Sequence, residues 1–250
     1  MSFFKWLAIG LCFISLLFIP GPAGPIGANP AFAWVGDDVE NEATPAGPQV
    51  NDPLQGVNRS VFQFNDKLYF WAVKPAATVY ASVVPKEQRE NVKSAYDNFV
   101  TPARFVNDVL QHKGERADIE AKRFIINSTL GVGGLFDIAQ SRFGMAKPPK
   151  EDFGQTLGAW GVETGPFLMV PVLGPSDARD LFGYAVDSAM DPLEWIPLAV
   201  WVNPTIKAGK IMNSASLKLG VYEDFKQSAL DPYLSMRDGY LQHREKEINQ

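Results

Sequence analysis

Few residues of this chain have the types and spacing that catalysis needs. The two histidines, His112 and His243, lie far apart among charged neighbours, and the G-x-S-x-G motif of serine hydrolases is missing. Asp137 with Glu151 or Asp152 could do acid–base chemistry, but nothing in the sequence brings these carboxylates together. The sequence therefore predicts no enzyme, no catalytic residue, no metal site and no cofactor.

The most unusual stretch is EDFGQTLGAWGVETGPFLMVPVLGPSDARD, residues 151–180. It combines glycines and prolines with many large apolar side chains. A buried helix rarely carries so many helix breakers, and an exposed loop rarely carries so many apolar residues. Residues 165–173 predict a short extended run, which the flanking prolines would confine to a sheet edge or a loop. Irregular apolar backbone of this kind suits the wall of a hydrated cavity.

The composition is that of an average globular chain. Of its residues, 46% are hydrophobic and 20% are charged. Its length of 250 residues is enough for one large or two small domains. The formal net charge is -5, and no basic run or basic–aromatic stripe occurs. No nucleic acid partner is therefore expected.

Residues 1–33 have the pattern of an export signal peptide. Lys5 is the only early charge, and an uncharged apolar run, Trp6–Ile19, follows it. This run is shorter than the roughly 20 residues that a spanning helix needs, which favours a signal sequence. Cleavage is predicted after Ala33, with cleavage at Ala28 and a retained signal as the alternatives.

Cys12, inside the predicted signal, is the only cysteine. It follows Leu11, whereas a lipid-modified cysteine is expected after a small residue, so no lipobox is predicted. A cleaved chain would then have no disulfide and no cysteine ligand. Residues 34–50 are acidic and rich in Pro and Gly, which predicts a flexible tether.

The elements after residue 50 are predicted to be helices. Helix starts are indicated by a capping residue followed by Pro or by an acidic residue. They occur at Asp52-Pro53-Leu54-Gln55, Thr101-Pro102, Ser176-Asp177, Asp191-Pro192-Leu193-Glu194 and Asp231-Pro232. Strand signals are few, so an all-α fold is expected.

Apolar residues recur at three- and four-residue steps in several of these helices. The first such stripe is Leu54, Val57, Val61, Phe64 and Leu68, and others lie within 92–100, 105–110, 119–130 and 233–241. Each stripe fits ordinary core packing. The charge-free runs after residue 33 are too short to cross a bilayer. If the stripes meet a membrane, the helices lie in one leaflet.

Four stretches resemble one known family. They are NDPLQGVNRSVFQFNDKLYFWAVKP (Asn51–Pro75), RFIINSTLGVGGLFDIA (Arg123–Ala139), residues 151–180, and DPYLSMRDGYLQHR (Asp231–Arg244). In these stretches the chain is similar to the MlaA (VacJ) family of outer-membrane lipid-asymmetry proteins. The order F-G-Q-T-L-G, W-G-V, G-P, L-G-P-S and R-D in residues 151–180 is the most specific part of the resemblance.

The resemblance implies a single ring-shaped, all-α domain with a central amphipathic channel, over residues 51–245, followed by a tail at 246–250. It implies a seat in the inner leaflet of the Gram-negative outer membrane, facing the periplasm, beside a trimeric porin. Mislocalised phospholipids would leave the outer leaflet through the channel and pass to a periplasmic lipid-carrier protein. Lipid asymmetry would be maintained without making or breaking a covalent bond.

The resemblance, with the residue pattern, also gives expectations for individual residues. The lipid path and its gate are expected within residues 131–137 and 154–175, with the amides near Gly131, Gly133 and Gly134 meeting phosphate oxygens. The expected path residues are Gly131, Gly133, Gly134, Asp137, Gly154, Gly158, Trp160, Gly161, Gly165 and Pro166. The alternative is that these glycines only allow tight turns between packed helices.

The helix at 52–74 is expected to be embedded in the membrane. Its lipid-facing residues would be Leu54, Val57, Val61, Phe64 and Leu68. Asn58, Arg59 and Asn65 would face the channel or the head-group layer, with Arg59 able to bind a phosphate bidentately. The alternative for Arg59 is a solvated charge near a helix start.

Two other functions remain open at this point. A soluble periplasmic lipid-binding shuttle is favoured by the missing lipobox. A structural porin-associated protein without transport activity would share the same partners. Neither alternative requires a cofactor or catalysis.

Overall fold

The computed structural model describes residues 52–191 and 202–250, with side chains from residue 205 in the second range. The predicted signal peptide, the tether and the helix start at Asp191-Pro192 lie outside these residues or at their edge. The helices are α1 (Gln55–Leu68), α2 (Lys74–Val83), α3 (Lys86–Phe99), α4 (Thr101–Leu110), α5 (Gly114–Thr129), α6 (Ile138–Phe143), α7 (Phe153–Ala159), α8 (Ala178–Met190), α9 (Val202–Leu217), α10 (Val221–Ser228) and α11 (Pro232–Ile248). A π-helical segment, Tyr69–Val73, joins α1 to α2. Within the described ranges, no helix is both long enough and apolar enough to cross a membrane.

The predicted extended run forms a short antiparallel hairpin. Strand β1 (Phe167–Val170) pairs with β2 (Gly174–Asp177), and Phe167 lies opposite Asp177. Val172, in the connecting turn, has a φ of 67°, and Gly174, at the start of β2, has a φ of 90°. Glycine adopts such positive φ values without strain. The all-α class is confirmed, with this hairpin as the one sheet among the described residues.

Two asparagines of α1 dock the helix along β1. Asn58 Nδ2 donates to the Phe167 carbonyl (3.0 Å) and Asn58 Oδ1 accepts from the Met169 amide (2.9 Å). Two helical turns later, Asn65 Nδ2 donates to the Val170 carbonyl (3.0 Å) and its Oδ1 accepts from the Val172 amide (2.8 Å). Each side-chain amide thus pairs with the strand as a neighbouring strand would. Both side chains are buried, so the expectation that these two asparagines face the channel or the head-group layer is wrong.

The hydrophobic core is a compact aromatic cluster beneath this contact. Tyr69, Tyr222, Phe167, Tyr233 and Tyr240 belong to it together with Met169 and Met236. The rings meet edge to face, with centroids 4.8 Å apart for Tyr69 and Tyr222 and 6.3 Å for Phe167 and Tyr233. Such contacts join α1, β1, α10 and α11. The predicted apolar stripe of the last helix is therefore a core face.

Helices α4 and α5 have the reverse arrangement. Their charged and amide side chains are buried, namely Arg104, Asn107, Asp108, Glu120, Arg123 and Asn127. Their large apolar side chains are exposed, namely Phe105, Val106, Val109, Ile119, Ile125 and Leu130. Ordinary core packing is therefore the wrong interpretation of these two stripes. Apolar faces of this size mark surfaces that meet a partner or a membrane.

The predicted helix starts are partly correct. Asp231 caps α11 by accepting from the amides of Tyr233 and Leu234. At α8 the capping residue is Asp177 rather than Ser176. The capping box at Asp52 is wrong, because its carboxylate instead accepts from Asn58 Nδ2 (3.1 Å) and from the Tyr233 hydroxyl.

We expect Asn58→Leu to lower the free energy of unfolding by about 3 kcal/mol, because it leaves buried backbone groups of β1 without partners. Gln63→Leu, at an exposed position of the same helix, should change stability by less than about 0.5 kcal/mol. Denaturant unfolding in detergent micelles measures both values. Equal stability of the two variants would show that the asparagine does not hold the hairpin.

Candidate functional site

The described residues surround a cavity of about 830 Å³. Its wall is built by α3, α4, the segment 147–152, the hairpin, α8, α9 and α11. Val170 and Leu173 of the hairpin and Leu181 of α8 contribute apolar surface, while lysines of α3 and α9 contribute charge. Ligand sites in proteins span roughly 300–1,000 Å³. A cavity of this size with a mixed lining suits an amphiphilic ligand.

Lysines surround a single carboxylate on one side of this cavity. Lys147 Nζ lies 3.0 Å from Asp97 Oδ2, and Lys150 Nζ lies 3.9 Å from Asp97 Oδ1. Arg104 donates to the backbone carbonyl of Asp97 (2.7 Å). Burial alone would raise the pKa of Asp97, but Lys150, Lys147 and Arg104 hold it well below its usual range. Asp97 is therefore ionised and attracts cations to this wall.

Lys210 of α9 faces the same cavity. Among the described residues its ammonium group makes no hydrogen bond and no ion pair. Burial lowers the pKa of Lys210, the charges of Asp97 and Asp191 oppose this, and those of Lys150 and Arg104 reinforce it. The ammonium group is thus a half-buried cation near other cations, without a direct counter-ion among the described residues.

Arg244 joins three elements at another part of the wall. Its Nη1 and Nη2 donate to the two carboxylate oxygens of Asp152 (2.8 and 3.0 Å), and its Nε donates to Asp180. The Tyr240 hydroxyl also donates to Asp180. Burial would lower the pKa of Arg244, but Asp152 and Asp180 raise it well above its usual value. One guanidinium thereby holds α11 against α7 and α8.

Two predicted path residues, Gly154 and Gly158, lie at helix crossings. A Cβ atom at Gly183 of α8 would come within 2.3 Å of the Gly154 amide nitrogen, so the two backbones touch. A Cβ at Gly154 would meet Asp180 and Arg244, and one at Gly158 would meet Ile248 and Arg179. These glycines allow close packing around Arg244.

The loop after α5 uses its amides internally. The amides of Gly131, Gly133 and Gly134 donate to carbonyls of Ile126, Ser128 and Asn127 at the end of α5. The expectation that these amides meet phosphate oxygens is therefore wrong. Asp137, in the same loop, caps α6 and accepts from Arg123 (2.6 Å) and Asn127 (3.0 Å).

The remaining predicted path residues are at the surface. Trp160, Gly161, Gly165 and Pro166 are exposed, and the Trp160 indole donates to the Leu110 carbonyl (3.2 Å). None of the ten predicted path residues is on the wall of the large cavity. Their assignment to the lipid path stays a prediction.

The predicted membrane helix has three of its five apolar residues exposed. Leu54, Val57 and Phe64 are 39%, 63% and 52% exposed, whereas Val61 packs on the aromatic core and Leu68 is half-buried. The helix therefore has one apolar edge that faces outward and another that faces the core.

Arg59 is paired within the protein. Its two terminal nitrogens donate to both carboxylate oxygens of Asp231 (3.3 and 2.7 Å), and its guanidinium lies 4.7 Å from the centroid of the Tyr233 ring. The guanidinium fork is therefore already occupied by a carboxylate. A head-group contact for Arg59 stays a prediction.

The charged residues of the cavity wall were not predicted from the sequence. Asp97, Lys147, Lys150 and Lys210 belong to no motif that a single sequence shows. One signal was present in α9, where Lys210, Ser214 and Leu217 follow helical spacing and line the cavity together. Within the described ranges, no three His, Cys, Asp or Glu side chains are grouped as a metal site would require.

Asp108 of α4 is a further buried carboxylate. It is fully buried, and neither of its side-chain oxygens has a hydrogen-bond partner among the described residues. Burial, with the charges of Glu151 and Glu120, raises the pKa of Asp108 to about 7, against the opposing charges of Arg116 and Lys113. Its protonation therefore changes near neutral pH.

Comparison with known proteins identifies relatives over most of the chain. Residues 50–247 match the family model described as MlaA lipoprotein. The chain is 32% identical over 206 residues to the intermembrane phospholipid transport system lipoprotein MlaA of Escherichia coli, covering 78% of this chain and 77% of that protein. The Haemophilus influenzae protein of the same name is 28% identical over 203 residues, with 80% of each chain covered.

A solved structure, described as "Structural basis for maintenance of bacterial outer membrane lipid asymmetry", has the same fold. The two structures superimpose with a TM-score of 0.71 at 30% identity. The match covers 80% of this chain and 100% of the other.

Gly183→Ala is expected to lower the free energy of unfolding by about 1–3 kcal/mol, because the new methyl group would meet the backbone of Gly154. Gly56→Ala, in α1, has nothing within 4 Å and should gain about 0.5–1 kcal/mol from its lower unfolded-state entropy. Chemical denaturation distinguishes the two. If Gly183→Ala were as stable as Gly56→Ala, the two helices could not be in the contact described.

A pH dependence follows from Asp108. Its pKa is higher in the folded than in the unfolded chain, so the folded protein binds more protons between about pH 4 and 7 and loses stability as the pH rises through that window. Between pH 5 and pH 8, the free energy of unfolding of the native protein should fall by on the order of 2 kcal/mol more than that of Asp108→Asn.

Denaturant unfolding at each pH measures this difference, and Asp118→Asn, at an exposed position of α5, serves as the control. The control should follow the native protein. The assignment fails if Asp108→Asn has the native pH dependence.

Proposed function

The chain belongs to the MlaA family, and from this premise we propose that it carries phospholipids through its cavity. Phospholipids mislocalised to the outer leaflet of the outer membrane would enter the cavity and leave towards the periplasm. A periplasmic lipid carrier would receive them. The reaction is transport that restores lipid asymmetry, without covalent chemistry.

The observation that carries this proposal is the distribution of polarity in the fold. Helices α4 and α5 turn apolar residues outward and charged residues inward. The interior holds a cavity of about 830 Å³ with both apolar and charged walls. An apolar exterior suits acyl chains, and a hydrated amphipathic interior suits a lipid with a charged head group.

We propose that the protein is exported by residues 1–33, with residues 34–50 as a tether and residues 51–245 as the functional domain. The domain would lie in the inner leaflet of the outer membrane, beside a trimeric porin. Exposed apolar side chains such as Val57, Phe64 and Trp71 (63%, 52% and 80% exposed) would provide the contact with acyl chains. A single acyl anchor gives only marginal membrane binding, so seating by the helices does not require Cys12.

The gate is proposed to involve the glycine-rich segments 131–137 and 154–175. The second segment contains Val170 and Leu173, which line the cavity. At Gly133 and Gly161 an added Cβ would meet nothing within 4 Å, and both have positive φ. Such positions leave room for movement beside packed helices.

A soluble periplasmic shuttle is the second candidate. It is favoured by one observation, that Leu11 precedes the only cysteine, Cys12, where a small residue would mark lipid attachment. Cell fractionation separates the two functions, because a shuttle should be released by osmotic shock. The channel should remain with the outer membrane.

The transport proposal predicts that filling the cavity blocks function. Ser188→Trp places a large ring on the cavity wall, whereas Ala185→Trp alters an exposed position of the same helix, α8. In a strain lacking the gene, outer-leaflet phosphatidylethanolamine should increase. Native protein and Ala185→Trp should restore it to the parental level, and Ser188→Trp should not.

The lipid is measured by labelling intact cells with an impermeant amine-reactive reagent, with equal protein levels checked by immunoblot. Thermal unfolding of purified Ser188→Trp excludes a folding defect. Unchanged outer-leaflet phospholipid in the deletion strain would contradict the transport proposal. A structural porin-associated protein would give the same copurification with porin but no change in lipid distribution.

A further inference from the structure

The charged side chains of the cavity are not evenly distributed. Lys147 and Lys150 converge on Asp97 from the segment that precedes α7. Lys210 of α9 lines the same cavity as these three residues. The hairpin contributes Val170 and Leu173 instead. The lining therefore combines lysines of these elements with apolar residues of the hairpin, and carboxylates such as Glu151 and Asp180 also belong to it.

The region around Lys210 has an excess of positive charge. The cations there are Lys210, Lys150, Lys147 and Arg104, and the carboxylates are Asp97, Asp191 and Glu120, which lies 3.3 Å from Arg104. Four positive charges against three negative charges leave one positive charge. A phosphodiester carries one negative charge, so it would neutralise the site.

Lys210 is the cation with the greatest need for such a partner. Taking an ammonium group even partly out of water without pairing it is unfavourable, and Lys210 is half-buried, with no hydrogen bond or ion pair among the described residues. Lys147, by contrast, already lies 3.0 Å from Asp97. An anion held by Lys210 would also lie near the cations beside Asp97.

We propose that Lys210, with Lys150 and Lys147 beside it, is the subsite that binds the phosphate of a glycerophospholipid inside the cavity, an assignment that rests on the proposed transport function. Lysine ammonium groups are point charges that bind phosphate without demanding a fixed geometry. The acyl chains would extend along the apolar wall formed by Val170, Leu173 and Leu181. A lipid could thus be held by its head group and released without breaking a fixed set of directional bonds.

The test uses full-length protein purified in detergent micelles, with fluorescent phosphatidylglycerol as the probe. Lys210→Met should weaken phosphatidylglycerol binding about tenfold or more, since it removes a charge-assisted contact. Lys210→Arg should retain binding within about threefold, because it keeps the charge. Lys122→Met, at an exposed position of α5, should bind as the native protein does.

Diacylglycerol, which lacks the phosphate, should bind weakly and equally to the native protein and to Lys210→Met. Because Lys210→Met removes a half-buried charge that has no direct partner among the described residues, its melting temperature should equal or exceed the native value, so lost binding would not reflect unfolding. Native-like phosphatidylglycerol binding by Lys210→Met would overturn the subsite.

Inorganic phosphate and glycerol 3-phosphate distinguish a lipid from a free anion. If they compete only at far higher concentrations than phosphatidylglycerol, the ligand is the lipid. If either binds as tightly as phosphatidylglycerol through Lys210, the assignment to a lipid is overturned.

The subsite and the transport function fail in different ways. If the deletion strain loses asymmetry and Lys210→Met both binds phosphatidylglycerol normally and restores asymmetry, the subsite fails and transport stands. If the deletion strain keeps its asymmetry while purified protein binds phosphatidylglycerol through Lys210, transport fails and the binding site stands.

Discussion

A charge removed from water needs an opposite charge or a hydrogen-bond partner inside the protein, and this requirement organises the fold. Arg104 pairs with Glu120 (3.3 Å) between α4 and α5. Glu151, almost fully buried, lies 2.7 Å from both Lys113 and Arg116. Because these pairs occupy the inward faces of the helices, the apolar residues of α4 and α5 must point outward. The membrane-compatible exterior is thus a consequence of the polar interior.

The same principle holds the irregular segments in place. The hairpin has only two strands, which are marginal on their own, and its free edge is paired by the side-chain amides of Asn58 and Asn65. The glycine-rich crossing of α7 and α8 surrounds Arg244, which binds Asp152 and Asp180. Residues 151–180 therefore contain glycines and prolines because the chain turns between the Asn58 and Asn65 contacts and Arg244. They contain large apolar residues because the segment packs closely.

The hairpin and Arg244 both line the cavity. Its wall combines parts of the helical frame with the hairpin and the segment 147–152. The helical frame keeps the cavity open. The hairpin and the segment 147–152 form wall surfaces that a regular helix could not provide. A lipid that enters and leaves the cavity, as we propose, would need both. The Lys210 subsite would add retention of the head group to this arrangement.

From the sequence we could predict the helical class, the extended run at 165–173, the cap of α11 at Asp231 and the family. These depend on local signals, namely helical spacing, prolines and a long motif, and each is confirmed by the structure or the relatives. The folded structure was needed to show which face of α4 and α5 is buried, that Asn58 and Asn65 bind β1, and that Lys210 and Asp97 line one cavity. The spacing of apolar residues shows that a helix has an apolar face, but not whether that face packs on the core or is exposed. Side chains on α3, α9 and the segment 147–152 become neighbours only when the chain has folded, because their contacts join residues up to about a hundred positions apart in the sequence.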